Sequence, residues 1–297
     1  MTAAAIELIG VRKTYGRIIA LADVSLQFPM GRLTGFLGPN GAGKTTTFRT
    51  VLGLTRPEQG QVRILGTPIT GSLPSLVKRL GAVVEEPGLH KTLNGVDNMR
   101  VAALTLGVGD GQIPELMDFV GLTDDAGRKV AGYSKGMRQR LALASALLGD
   151  PEVLILDEPL DGLDPAGQVT LKRQLRMLVT ERDKTVIVSS HDLKDVEEMA
   201  DHIVVLDRGR QVISGSLEEI LGSAERHRVV VDRPEDAVRV LTDAGITAVV
   251  DAGQVTVDDV RGADIVRVLA AAGLYPDAVV PARITLESVF LDATEAR

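Results

Sequence analysis

The chain has 297 residues, 44% of them hydrophobic, a formal net charge of −7 at pH 7 and no cysteine. This length is sufficient for one large and one small domain, and the missing cysteine excludes disulfides, thiolate metal sites and thiol redox chemistry. An acidic balance is not typical of a nucleic-acid-binding protein, so no nucleic acid partner is expected. No apolar run approaches the roughly 18 residues of a membrane helix and no export leader is recognised, so we expect a cytoplasmic protein.

The first predicted element is an antiparallel β portion, from residue 6 to about residue 30, and a glycine-rich motif follows it. The motif fits Gly-x-x-x-x-Gly-Lys-Thr and lies between a β-prone run (32–37) and a predicted helix (45–54), which is the context that a phosphate-binding loop requires. Its residues are Gly38, Pro39, Asn40, Gly41, Ala42, Gly43, Lys44, Thr45 and Thr46.

The residue types of this motif suit phosphate binding. Glycines let backbone N–H groups close around phosphate oxygens, and the helix that follows directs the positive end of its dipole at the same anion. Lys44 would reach the β- and γ-phosphates of a nucleotide, and the hydroxyl of Thr45 would bind Mg²⁺. The alternative is a glycine-rich turn with an exposed lysine.

Two later strands end in side chains that suit phosphoryl chemistry. An apolar run at 153–156 is typical of a strand buried on both faces of a parallel sheet, and Asp157 and Glu158 follow it. Asp157 would hold Mg²⁺ through water, and Glu158 would polarise the attacking water. After an amphipathic helix that ends near residue 182, a second buried strand (185–190) ends at His191, which would contact the γ-phosphate and orient that water. A solvated strand end or a cap is the alternative for these residues.

The segment 133–140, Tyr-Ser-Lys-Gly-Met-Arg-Gln-Arg, lies between the phosphate motif and the acidic strand and completes a resemblance. From residue 6 to residue 221 the chain resembles the ATP-binding cassette (ABC) ATPases, whose signature motif this segment matches. The resemblance implies that Tyr15 stacks on adenine. It implies that Ser134, Lys135 and Gly136 bind the ATP held by a facing subunit, and that Asp164 belongs to the loop that crosses the dimer interface.

The resemblance also implies partners. Two ATP-binding subunits, which we expect to form a homodimer, would enclose two ATP molecules with Mg²⁺. A separate polytopic membrane permease would be driven by the opening and closing of this dimer. The chain would then be peripheral on the inner face of the cell membrane, and a groove between Glu85 and the helix that starts near Asn94 is the expected permease contact.

Two departures from the usual family pattern stand out. Glu85 occupies the position where most of these ATPases have a glutamine that binds Mg²⁺, so we expect Glu85 to be a metal ligand that also adds negative charge near Glu158. In the signature, Lys135 replaces a usual glycine and Met137 a usual glutamine. With Glu85, this form is similar to exporter ATPases of the daunorubicin- and bacitracin-resistance type.

The predicted fold is α/β. Residues 1–222 would form a P-loop NTPase core of the ABC type with an antiparallel β subdomain and an inserted helical subdomain at about 87–148, with helices at 96–106, 113–120 and 135–148. Residues 223–297 would form a small α+β domain of the order βαββαβ, followed by a final helix at 285–294. No chemistry is evident in this second domain.

Two alternatives to an exporter motor stay open at this stage. A soluble ABC ATPase without a transport role would apply the same clamp to a macromolecular assembly, and a catalytically degenerate subunit would bind ATP in a heterodimer. The presence of Glu158 and His191 argues against degeneracy, while Glu85 leaves it possible.

Overall fold

The computed structural model describes residues 3–69, 76–85, 87–222, 226–251, 253–282 and 285–295. The chain divides into two compact units between Leu217 and Glu218, five residues before the boundary expected from the sequence. Among the described residues, no helix is both long and apolar enough to cross a membrane.

Two sheets and one helix between them build the core of the first unit. The first seven elements of the chain are β1 (Ala4–Tyr15), β2 (Ile18–Pro29), β3 (Leu33–Leu37), α1 (Lys44–Val51), β4 (Gln59–Ile64), β5 (Thr67–Pro68) and β6 (Leu80–Val83). Strands β2, β1, β4 and β5 form an antiparallel sheet in that order. Phe36 of β3 packs edge-to-face against Phe28 of this sheet, with ring centroids 5.5 Å apart, and at a tilt against Phe48 of α1, with centroids 5.4 Å apart. Aromatic and aliphatic side chains thus join the antiparallel sheet to β3 and α1.

A helical segment is inserted after β6. It consists of α2 (Gly95–Leu106), α3 (Ile113–Phe119), a 3₁₀ turn (Val130–Gly132) and α4 (Lys135–Ala146). The backbone N–H of Asp97 donates to the side chain of Asn94 at the start of α2, and Gly107 ends that helix in the left-handed conformation with φ 62°. The expected inserted subdomain is thus present, with its third helix two residues shorter than predicted.

The second sheet of this unit is mainly parallel and carries the functional residues at one edge. The remaining elements are β7 (Val153–Leu156), α5 (Pro165–Thr180), β8 (Thr185–Ser190), α6 (Leu193–Met199), β9 (His202–Asp207) and β10 (Arg210–Ser216), and α7 (Leu217–Leu221) follows at the boundary between the units. The strand order is β10-β9-β3-β8-β7-β6, with β10 antiparallel to β9 and the other pairs parallel. Every residue of β3, β7 and β8 is buried, because both faces of such a sheet are covered.

The second unit has its own sheet and core. Its elements after α7 are β11 (Arg226–Val230), α8 (Pro234–Asp243), β12 (Ala248–Asp251), β13 (Gln254–Asp258), α9 (Gly262–Ala271), β14 (Ala278–Ala282) and α10 (Leu286–Glu295). The antiparallel strand order is β12-β13-β11-β14, which is a split βαβ arrangement. The apolar faces of α8 and α9 bury Leu241, Ile265 and Leu269 with Val229 and Val255 of the sheet.

Candidate functional site

The glycine-rich loop between β3 and α1 has a backbone that only glycine adopts easily. Gly38, Gly41 and Gly43 have φ of 155°, 82° and 111°. A Cβ at Gly38 would lie 2.2 Å from the carbonyl oxygen of Leu206, and one at Gly43 would lie 2.6 Å from that of Ala20. Both positions therefore require glycine for the loop to keep its turn and its close approach to neighbouring strands.

Lys44, the first residue of α1, is buried with its ammonium inside this loop. Its side chain is 7% exposed, and its Nζ donates to the carbonyl oxygen of Gly38 at 2.6 Å. The same Nζ lies 3.4 Å from Oε1 of Glu158. A buried cation at the start of a helix, inside a glycine-rich loop, is an arrangement that favours phosphate.

Thr45 and Asp157 meet at the side of the loop that faces β7. The hydroxyl of Thr45 donates to Oδ2 of Asp157 at 2.9 Å. Asp157 Oδ1 accepts from the hydroxyl of Ser189 at 2.5 Å, and the same hydroxyl accepts from the backbone N–H of Glu158 at 2.8 Å. Ser189 is fully buried. Its one hydroxyl therefore fixes both the carboxylate of Asp157 and the backbone N–H of Glu158.

These oxygens fit Mg²⁺. Within the described residues, no group of three or more His, Asp or Glu side chains is placed to hold a metal by itself. Mg²⁺ commonly takes one or two protein oxygens, and substrate phosphates and water complete its ligands. The Thr45 hydroxyl and the Asp157 carboxylate, next to the phosphate loop, would supply the protein oxygens.

Glu158 and His191 form a second polar pair at the same edge. The Nδ1 of His191 lies 2.8 Å from Oε2 of Glu158. Because an ionised carboxylate only accepts hydrogen bonds, Nδ1 carries the proton whenever Glu158 is charged. Glu158 has a left-handed backbone with φ 48°, which costs a non-glycine residue about 1–2 kcal/mol, and its carbonyl oxygen accepts from Nε2 of Gln139 at 3.2 Å. Strain of this kind is concentrated at functional sites.

Glu85 follows β6 and is paired with an arginine. Its φ is 68°, and its carboxylate accepts a hydrogen bond from Nη2 of Arg49 on α1. Asp157 and Thr45, by contrast, bond to each other. The carboxylate of the expected metal ligand Glu85 is therefore bound to Arg49 of α1, and not to the Thr45–Asp157 pair.

The signature residues line a different pocket, of about 570 Å³, in the same unit. The hydroxyl of Ser134 accepts from the backbone N–H of Met137 and caps α4. Lys135 Nζ lies 3.1 Å from Oδ2 of Asp161, and its chain crosses Gly162, where a Cβ would lie 2.3 Å from Nζ. Gly136 and Asp164 also line this pocket, and no residue of the phosphate loop does.

Tyr15 ends β1 with its ring 43% exposed. The ammonium of Lys13 lies 5.3 Å from the ring centroid, which is within the range of a cation–π contact. The exposed ring is available for stacking.

Three residues with evident roles at this edge were not among the expected site residues. Ser189 connects Asp157 with Glu158, Gln139 holds the backbone of Glu158, and Arg49 binds Glu85. The only sequence signal was a pair of serines, 189 and 190, at the end of an otherwise apolar strand.

The site belongs to a phosphate-loop nucleoside triphosphatase, because the buried lysine, the Thr45–Asp157 pair and the Glu158–His191 pair meet at the carboxyl edge of a parallel sheet. The family model "ABC transporter" matches residues 21–161. An uncharacterised ABC transporter ATP-binding protein of Bacillus subtilis, YhcH, is 43% identical over 238 residues, which are 80% of this chain and 78% of YhcH. The chain belongs to the ATP-binding proteins of the ABC transporter family, and it is an ATPase.

Two further relatives extend this comparison. The bacitracin transport ATP-binding protein BcrA of Bacillus licheniformis is 39% identical over 67% of this chain and 65% of its own length. A dimeric structure of a post-hydrolysis state of the ATP-binding cassette MJ0796, bound to ADP and Pi, superposes with a TM-score of 0.66 at 26% identity and covers 71% of this chain and 98% of that one. The predicted cassette fold is confirmed.

Proposed function

We propose that this chain is the ATP-hydrolysing motor subunit of a multi-subunit ABC exporter, working as a homodimer around two ATP molecules and driving a separate membrane permease. The cargo would be of the drug, antibiotic or lipid-like class. The observation that carries the proposal is an apolar groove whose wall continues directly into the loop of Glu85, next to the hydrolysis site.

Hydrolysis needs a phosphate anchor and a base, and the edge of the sheet supplies both. The ammonium of Lys44 would leave the carbonyl oxygen of Gly38, bind the γ-phosphate and neutralise the charge of that phosphate. Glu158 would accept the proton of the attacking water, while the protonated Nδ1 of His191 fixes the direction of that carboxylate. Thr45 and Asp157 would hold Mg²⁺, which supplies charge neutralisation of the phosphates when bound.

The separation of the two anion-binding features supports the proposed dimer. Ser134, Lys135 and Gly136 surround the start of the twelve-residue helix α4, whose N-terminal amides favour an anion. The phosphate loop of the same chain does not line that pocket. ATP held by a second copy is the anion that we propose for it, in keeping with the dimeric cassette among the structural relatives.

The groove has a volume of about 420 Å³ and lies between β6, α2 and α4. Its walls include Val83, Val84, Val101 and Ala102. Buried Asn98 fixes one rim, because its side-chain amide donates to the carbonyl oxygen of His90 at 3.1 Å and accepts from the N–H of His90 at 2.8 Å. An apolar, preformed groove of this size suits one short helix of a partner.

The identity of the partner class rests on the relatives. BcrA is named a bacitracin transport protein and another relative a Nod factor export protein. We therefore propose a polytopic membrane permease with a cytoplasmic helix as the occupant of the groove, which would hold the chain at the inner face of the membrane.

Affinity purification from detergent-solubilised membranes tests the proposal, using the tagged chain and two matched variants. Ala102→Asp places a charge in the groove wall, whereas Leu104→Asp places the same charge on the exposed side of the same helix, where Leu104 is 79% exposed and outside the groove. The proposal predicts that the unaltered chain and Leu104→Asp recover a stoichiometric polytopic membrane protein and that Ala102→Asp does not.

Two results would overturn the transport assignment. One is recovery of soluble assembly proteins without a membrane protein, and the other is recovery of a membrane protein equally by all three chains, which would remove the groove from the contact. ATPase activity of the purified chains serves as the folding control, since neither substitution touches the phosphate loop.

A further inference from the structure

The ion pair between Arg49 and Glu85 is the starting observation. Arg49 lies in the last turn of α1, the helix that begins at Lys44. Glu85 lies two residues beyond β6 in a left-handed conformation, and its Oε1 accepts from Nη2 of Arg49. The pair therefore ties the helix of the phosphate loop to the loop that continues into the groove, where Val84 and Pro87 are lining residues.

Helix geometry places this pair one turn away from the proposed metal site. Thr45 and Arg49 are four residues apart on α1, so their side chains are neighbours on one face, with Cβ atoms about 5–6 Å apart. Thr45 donates to Asp157 at the start of this face. A carboxylate bound to Arg49 thus lies one helical turn from the Thr45–Asp157 pair.

Strand register brings Glu85 to the same edge from the other side. Val83 of β6 pairs with Leu156 of the parallel neighbour β7, and the N–H of Asp157 donates to the carbonyl oxygen of Val83 at 2.8 Å. Because Glu85 follows Val83 by two residues, its backbone leaves the sheet beside Asp157.

The electrostatics explain why an arginine belongs there. A carboxylate beside the phosphates, Asp157 and Glu158 adds like charge to that edge, and a guanidinium cancels it. The side chains of Arg49 and Glu85 are 42% and 51% exposed. An ion pair this accessible to water is weak, so a divalent cation can displace the arginine from the carboxylate.

We propose that Arg49 is a positioning residue that competes with Mg²⁺ for the carboxylate of Glu85, holding it one helical turn from the Thr45–Asp157 pair until the nucleotide and its metal bind. This inference rests on the proposed function. Binding of Mg²⁺ with ATP then separates Glu85 from Arg49, and the loop that lines the groove moves with it.

The test is an equilibrium measurement with Mn²⁺ as the probe. Free Mn²⁺ is quantified by electron paramagnetic resonance while it is titrated into the chain with a non-hydrolysable ATP analogue. Arg49→Gln should tighten Mn²⁺ binding about three- to fivefold, because the competitor for the carboxylate is removed. A larger change is not expected, because an exposed ion pair contributes little free energy. Arg49→Lys, which keeps the charge, should stay within about twofold of the unaltered chain.

A double-mutant cycle separates competition from general charge. In the Glu85→Gln background there is no carboxylate for Arg49 to hold, so Arg49→Gln should change Mn²⁺ affinity by less than about 1.5-fold. Arg79→Gln is the matched control, because Arg79 is 43% exposed and pairs with Glu152 at the opposite end of β6. It should leave Mn²⁺ binding unchanged.

The outcomes are distinct. Equal tightening by Arg49→Gln in both backgrounds would mean a through-space charge effect and would overturn the proposal, as would no change or a weakening in the Glu85 background. Either result leaves the ATPase assignment intact. If the unaltered chain binds the nucleotide analogue neither in EDTA nor with Mn²⁺, the proposed function itself is overturned.

Discussion

The two units of the chain bury apolar residues by the same rules and differ in what they do with polar ones. In the cassette unit, Lys44, Ser189 and the backbone of Glu158 are held inside the sheet edge by specific hydrogen bonds. In the described part of the C-terminal unit, the ion pairs are exposed or partly exposed, such as Asp264 between Arg261 and Arg267, and His227 is a buried polar side chain. The C-terminal unit is thus held mainly by the packing of its apolar core, whereas the cassette places buried polar contacts where its chemistry lies.

Two left-handed non-glycine residues of the cassette lie at the site, and five others among its described residues lie elsewhere: Asp23, Leu65, Asp150, Asp183 and Arg208. Glu85 and Glu158 are both left-handed and both follow strands of the parallel sheet at its carboxyl edge. In the C-terminal unit, the non-glycine residue with positive φ among the described residues is Asp259, in the turn after β13. Aspartate tolerates this conformation because its short side chain can hydrogen-bond locally.

The largest expected effect is on turnover. Glu158→Gln keeps the size of the side chain but removes the proposed base, so ATP hydrolysis should fall about 100- to 10,000-fold while ATP still binds to the Lys44 loop. Phosphate release and equilibrium ATP binding are measured together. Glu181→Gln, at the exposed end of α5, is the control. Turnover within tenfold of normal would remove Glu158 from its role.

The C-terminal core should respond to a cavity without a change in chemistry. Leu269 of α9 is fully buried in that core, so Leu269→Ala should destabilise the unit by about 2–5 kcal/mol. Thermal unfolding followed by calorimetry measures the loss, and ATPase activity below the transition should stay near normal. A large loss of activity in the folded protein would show that the unit does more than pack.

Ser189→Ala tests the hydroxyl that connects the two carboxylate positions. Removing it leaves the partly buried N–H of Glu158 without its acceptor, which costs about 1–3 kcal/mol, and frees the Asp157 side chain to turn. The expected result is a lower unfolding temperature together with a higher Mg²⁺ requirement for ATP hydrolysis. A stability loss with an unchanged Mg²⁺ requirement would limit Ser189 to a packing role.

The smallest effect is expected for a surface ion pair of the cassette, Arg79–Glu152, which lies away from the proposed site. Hydrogen bonds from Arg79 lower the pKa of Glu152 below its ordinary 4.5, and partial burial of the carboxyl opposes this shift. A lowered carboxyl pKa stabilises the folded state above that ordinary pKa, and the contribution is lost as the pH falls through the lowered value. Arg79→Gln should therefore lower the unfolding temperature by less than about 3 °C at pH 7 and by nothing once Glu152 is protonated. A constant difference at all pH values would contradict this.

The sequence predicted the site best where chain order and periodicity determine position. Residues 38–46, 157–158 and 191 each follow a buried parallel strand, so they reach one edge of the sheet whatever the loops do. Ser189 and Arg49 were missed because a hydroxyl in a strand and an arginine on a helix carry no distinctive spacing. The pairing of Glu85 with Arg49 depends on a left-handed turn at residue 85, which no local pattern indicates.

The fold shows the same limit. The order βαββαβ in the C-terminal unit was readable from alternation and helix breakers, but its strand order β12-β13-β11-β14 is set by which apolar faces meet. Helix ends were less predictable: α1 stops at Val51 and not near residue 54, because Gly53 turns left-handed with φ 69° after the C-cap.

Sedimentation velocity of the Glu158→Gln chain with ATP and with ADP tests the central claim, that the Lys44 loop of one copy and the Ser134 pocket of another share one nucleotide. We expect a dimer with ATP, a monomer with ADP, and a monomer with ATP when Ser134→Arg blocks the pocket. A chain that binds ATP and remains a monomer, or that forms the dimer equally well with Ser134→Arg, would contradict it.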